Sequence, residues 1–361
     1  MKLKKIIAGA AILLALTTSV FAAKAKKSDK LKVVTTIFPE YDWTREIIGN
    51  NIKNVELTLL LGNGVDLHSY QPSIQDIAKI STADIFIYVG GESDGWVKDA
   101  LKNATNKNMK VINLMETLGD KVKAEEVKEG MQAEEEEEHH HHDGEHHDDE
   151  DEDEDEHEDE DHDHDHEAEE GHHHHHHGEE DEVEYDEHVW LSLRNAKILC
   201  AEIASALSEK DSANAASYKS NLSSYTAKLD TLDSKYAAAV KAGSKNTILF
   251  GDRFPFRYLV DDYGLDYFAA FVGCSAETEA SFETVIFLSK KVDELGLNTV
   301  LKIESGDGKI ARTIIQNTKK KNAKVLTLDS IQSTTAKQAK AGTTYLKIME
   351  ENLKVLQEAL K

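Results

Sequence analysis

The chain has two cysteines and no C-x-x-C pair, which removes cysteine-based zinc ribbons and dithiol redox chemistry from consideration. It also lacks H-E-x-x-H and any nucleophile motif, so nothing in it marks a hydrolytic enzyme. Its strongest apolar stretch, Ile6 to Leu16, is too short to span a bilayer. Charge of one sign is missing locally: across 54 residues, Glu134 to Glu187, there is no Lys or Arg.

That segment instead holds 16 His and 32 Asp or Glu. Imidazole suits zinc, copper and nickel, and dense carboxylates gather cations. With so little apolar side chain, the segment is expected to be a solvated, disordered loop. Because 32 of the 68 acids lie within it, the remainder carries 42 basic against 36 acidic residues, a formal charge of +6 where the whole chain has −26. Acidity is therefore a local device, and together with export it argues against a nucleic-acid partner.

Lys2, Lys4 and Lys5 precede the apolar stretch, and Val20-Phe21-Ala22 follows with small residues at a cleavage spacing. Residues 1–22 read as an export signal. No cysteine lies near the cut, so a soluble periplasmic protein without a lipid anchor is expected. Cys200 and Cys274 could pair in such a compartment or stay apart, and spacing does not choose.

About 285 residues remain, enough for two domains. Strands are expected at 31–38, 55–61, 84–89 and 110–114, alternating with helices near 39–48, 73–80 and 94–103. Helices follow at 192–208 and 212–242. The second of these has no Gly or Pro and places Tyr218, Leu222, Tyr225, Leu229, Leu232 and Tyr236 at helical spacing. As one helix it spans about 46 Å, a strut between domains. The last third repeats the rhythm, with strands at 247–250, 267–272, 299–303 and 324–328 and helices at 254–263, 282–295, 309–319 and 345–360. The fold class is α/β: two lobes with parallel-type sheets flanked by helices and joined by one long helix. The expected division is 31–209 for a metal-binding lobe, 212–242 for the linking helix and 243–361 for the second lobe.

Only His68 and His188 lie outside the histidine-rich segment. Both sit just before helices, His68 in the loop after a strand, where open α/β sheets gather ligands. Asp252, Glu304 and Asp329 each follow a strand of the second lobe, where acids either bind ligands or cap helices.

VDLHSYQPSIQDIAKI (65–80), DEHVWLSLRNAK (186–197), FRYLVDDYGL (256–265), SAETEASFETV (275–285) and AKVLTLDSI (323–331) resemble, in this order, the zinc and manganese solute-binding proteins that serve ABC importers. The resemblance implies one divalent cation in the cleft between two four-stranded lobes, and a His-rich acidic insertion is common among the zinc members. It implies His68 and His188 as the first two ligands and Asp329 as the acid that completes the site. The third family position, five residues before Tyr258, is Arg253 here, which cannot ligate a cation. Allowing one inserted residue gives Asp252, with Glu304 as its substitute.

Two imidazoles and two carboxylates accept zinc or manganese, and the histidine-rich segment tips the expectation to zinc. The reading is an exported monomer that captures zinc and delivers it to the membrane permease of an ABC importer, its loop collecting or sensing the ion. A manganese importer component and a zinc store or buffer are the alternatives; a metalloenzyme is not expected.

Overall fold

A computed structural model describes residues 30–132, 183–275 and 279–361. The expected export signal and positions 134–182 of the histidine-rich segment lie outside the described residues.

The first sheet takes its order from hydrophobicity. β1 (Leu31–Thr35) leads to α1 (Phe38–Ile48), and β2 (Val55–Leu59) to α2 (Ile74–Ser81). β3 (Ile85–Tyr88) and α3 (Val97–Lys102) follow, then β4 (Lys110–Asn113) and the short α4 (Leu114–Leu118). All pairings are parallel, in the order β2-β1-β3-β4. Val33, Val34, Ile85, Phe86 and Ile87 are buried in the two central strands, as a sheet covered on both faces requires. In this order the chain runs from β1 to one side and returns to β3 on the other. The crevice beyond the strands' carboxyl ends is therefore the place for a ligand.

α5 (Leu193–Lys210) starts at Ser192, whose hydroxyl accepts from Asn195 N as an N-cap. α6 (Ala215–Ala242) is the expected long helix, 28 residues instead of 31 because 212–214 form a 3₁₀ turn. At 1.5 Å per residue it is about 42 Å long. Tyr218, Tyr225, Leu229, Leu232 and Tyr236 form its buried stripe, and α6 packs against α5, α1 and the last helix. A buried stripe of that length makes α6 a shared wall of the core as well as a connection.

The second half adds β5 (Thr247–Leu249), β6 (Arg253–Phe254), α7 (Arg257–Tyr263), β7 (Asp266–Phe268) and β8 (Phe271–Val272). Next come α8 (Phe282–Leu295), β9 (Thr299–Lys302), α9 (Lys309–Asn317), β10 (Lys324–Thr327), α10 (Ala336–Lys340) and α11 (Tyr345–Ala359). β5 pairs β7, β9 pairs β10, and a Phe250–Leu301 bridge joins the two ladders. Beyond a break, the same two strand segments pair again as β6 and β8. The helix expected from 254 starts at Arg257 instead, because Pro255 disfavours helical backbone at Phe254.

Candidate metal centre

His68 lies in a 3₁₀ turn (Leu67–Ser69) after β2, where Asp66 caps the turn by accepting from His68 N at 3.1 Å. Its Nδ1 is 2.8 Å from Ser93 Oγ and 3.5 Å from Glu187 Oε2. Glu187 also accepts from Ser93 N at 2.9 Å, so the turns after β2 and β3 and the strand-like entry to α5 meet here. Gly91, at φ +77°, is needed for that meeting: a Cβ there would stand 2.3 Å from Glu187 Oε1.

His188 is fully buried. Asp186 Oδ1 lies 2.9 Å from its Nδ1 and also accepts from its backbone N–H at 2.8 Å. A carboxylate only accepts when ionised, so this contact puts the ring proton on Nδ1 and leaves Nε2 as a lone-pair donor. That Nε2 lies 3.1 Å from His68 Nε2. Burial, then the charges of His188 and Arg253, hold His68 down to about 3 against the opposing pull of Asp66. His68 is therefore neutral at neutral pH, the form that ligates a metal.

Two Nε2 atoms on one tetrahedral zinc, with bonds of about 2.0–2.1 Å, stand about 3.3 Å apart. The observed spacing needs only a slight opening to admit the ion. Cys274 joins the pair: its Sγ and the two imidazole nitrogens all lie within 4.8 Å of one another. Burial, then the charges of Glu125, Asp186 and Glu187, push the Cys274 thiol well up. Cys200 is buried in α5, and both cysteines are free.

The mouth of the site is a cleft of about 280 Å³ lined by His68, Glu92, Ser93, Glu125, Glu184, Tyr185, Glu187 and Cys274. Burial raises the Glu125 and Glu187 carboxyls above their ordinary range. A cation arriving among such groups relieves their mutual repulsion and favours their charged forms.

The acids expected from the second half are engaged elsewhere. Asp252 accepts from Arg253 N at 2.9 Å and Ile303 N at 3.2 Å, and it borders a different cavity of about 540 Å³ with Asp66 and Arg253. Glu304 accepts from Ser330 N at 2.7 Å and from the Ser330 and Ser333 hydroxyls. Asp329 accepts from Ile331 N at 2.8 Å. Ile331 has φ +66°, a costly conformation for a β-branched residue, so Asp329 supports a strained turn. Burial, then Glu304, raises Asp329 to about 7. The structure thus brings His68 and His188 together, and among the described residues it places neither Asp252 nor Asp329 in their group.

Sequence reasoning passed over four contributors. Arg253 spans the two halves, with Nη2 2.6 Å from Asp66 Oδ2 and Nη1 donating to Ser275 O at 3.2 Å. Burial pushes the Asp66 carboxyl up, but the Arg253 guanidinium beside it outweighs that and holds it below its usual range. Gln332, with its amide turned to donate to Asp66 at 2.7 Å, places its oxygen 3.0 Å from His188 Nε2, a contact that is a hydrogen bond only when Nε2 also carries a proton and that a metal on Nε2 would replace. Trp190, 5.2 Å from the His188 ring, donates from Nε1 to Ser330 O at 2.9 Å. Cys274, which the sequence offers as a disulfide partner, also follows the end of an expected strand as the acids do.

Fold and site together define a class, an α/β chain of two parallel-stranded halves with an imidazole pair at the cleft, the donor set of a divalent-metal binder. The chain belongs to the family described as zinc-uptake complex component A, periplasmic (ZnuA), which matches residues 33–359. That family consists of transport components rather than enzymes.

The zinc-binding protein AdcA of Streptococcus pyogenes serotype M3 is 29% identical over 327 residues, covering 91% of this chain and 55% of the relative. The zinc-binding lipoprotein AdcA of Streptococcus pneumoniae strain R6 is 30% identical over 340 residues, 94% of this chain and 58% of the relative. This chain therefore spans a little over half the length of these curated relatives. The crystal structure of the Zn(II)-bound ZnuA-like domain of Streptococcus pneumoniae AdcA is similar with TM-score 0.63 and 25% identity, covering 92% of this chain and 99% of that one.

Proposed function

We propose that this chain captures a zinc ion at His68 and His188 and delivers it to the membrane permease of an ABC importer. The observation that carries the reading is the approach of two Nε2 atoms to 3.1 Å, each ring held from its Nδ1 side by a hydroxyl or carboxylate. Family membership supports zinc as the cargo and uptake as the setting. In this reading the chain is an exported, monomeric periplasmic component, with 31–209 as the metal-binding lobe and 243–361 as its partner across α6. No helix among the described residues is long and apolar enough to cross a membrane. Asp252 and Asp329 lie outside the group formed by His68, His188 and Cys274, so the reading draws on the histidines first. The histidine-rich segment collects or senses zinc, an accessory role that follows from its composition alone.

The experiment is a zinc titration against a chromophoric chelator, on the intact chain and after deleting 134–182. One tight site that survives the deletion and is lost in His68→Ala supports the reading. Loss of all tight binding with the segment would mean a zinc store instead.

A further inference from the structure

Cys274 is held at the imidazole pair by contacts on both sides of it. Glu125 Oε1 accepts from its backbone N–H at 3.1 Å. On the other side, Arg253 holds the carbonyl of the next residue, Ser275. Gly273, the residue before it, lies against the His188 ring so closely that a Cβ would meet Cε1 at 3.1 Å and Nδ1 at 3.2 Å. A side chain at 273 would require the ring or the backbone beside it to give by a few tenths of an ångström. A glycine, a glutamate and an arginine thus bear on the segment that sets one sulfur beside two imidazoles.

We propose that the Cys274 thiolate is the third ligand of the zinc site, completing a two-nitrogen, one-sulfur set with His68 and His188. This rests on the zinc reading above and goes further by naming the ligand and what it selects. A zinc–sulfur bond of about 2.3 Å and zinc–nitrogen bonds of about 2.0–2.1 Å put sulfur about 3.6 Å from each nitrogen. The observed envelope of 4.8 Å is at most about an ångström wider than that. On coordination the thiol proton passes to solvent and the sulfur bonds the metal, with no change of oxidation state. Thiolate is a soft donor that suits zinc and disfavours manganese, which prefers oxygen. The site therefore discriminates by its sulfur, whereas two histidines with two carboxylates would not. The fourth position is left to the carboxylates at the cleft mouth or to water.

The test uses one equivalent of Co(II) on the reduced, intact chain. Cobalt bound to thiolate shows an intense charge-transfer band in the near ultraviolet, and the histidine-rich segment has no thiol to produce one. The expected result is a band present in the wild type and in Cys200→Ala but absent in Cys274→Ser. Cys274→Ala should also weaken the tight zinc site by more than about 100-fold, beyond the loss of an outer partner, with its circular dichroism unchanged. Cys274→Asp should narrow the preference for zinc over manganese. A wild type that binds tightly through His68 but shows no band would overturn the thiolate while leaving the zinc reading intact. Tight binding unaffected by His68→Ala would overturn that reading itself.

Discussion

Both halves of the molecule put metal-binding side chains at the carboxyl ends of parallel strands, yet they use them differently. In the first half, His68 and His188 are oriented through Nδ1 and keep Nε2 for a neighbour. In the second, Asp252, Glu304 and Asp329 accept from amides and hydroxyls of their own half and lie outside the imidazole pair's group. The lesson is that strand-end position makes a residue eligible as a ligand, while the hydrogen bonds that orient it decide which way its remaining lone pairs face. An imidazole can satisfy one nitrogen and offer the other. A strand-end carboxylate facing unpaired N–H groups is drawn to them first.

Several experiments would break or sharpen this contrast. Its largest expression should be zinc linkage: free zinc at a thousandfold excess over Kd adds about 4 kcal/mol to wild-type stability. His68→Ala and His188→Ala should lose nearly all of that gain in urea melts with and without a chelator. Equal stabilisation of the variants would mean that the ion sits elsewhere. Next comes Arg253→Ala, which strands the Asp66 carboxylate; with both side chains less than a fifth exposed, the expected cost is roughly 1–3 kcal/mol by the same melts. A cost near zero would show the pair to be an incidental contact.

Asp329→Ala should be milder, about 1–2 kcal/mol, since one hydrogen bond to the strained Ile331 turn is lost. Zinc affinity there should change by no more than about 100-fold, the upper scale of an outer partner. A loss as large as that of His188→Ala would instead make Asp329 a ligand. Smallest of all should be Asp252→Asn, which retains an acceptor for Arg253 N and Ile303 N. Chelator competition is expected to show zinc binding close to wild type, and a collapse of affinity would restore Asp252 to the site.

The α/β alternation, the long helix and its buried Tyr and Leu stripe were legible because period and β-branched content report burial directly. Less legible was the stretch from Arg253 to Phe256, where apolar residues suggested a helix start but Pro255 extends the strand instead. The histidines could be found because they stand outside the acidic run next to helix starts. Cys274 could not be ranked the same way. Its nearness to His188 depends on Gly273 having no side chain and on pairing between β6 and β8, and neither is visible in spacing. Nor could spacing reveal that Asp186 and Glu187, read as the tail of an acidic segment, would be buried against the two imidazoles.

The most direct test of the central claim is an anomalous difference map at the zinc edge from crystals of the zinc-loaded chain. The account predicts its strongest peak within about 2.1 Å of both His68 Nε2 and His188 Nε2. A cleft peak held by Asp252 and Asp329 without the two imidazoles, or no peak in the cleft at all, would contradict it.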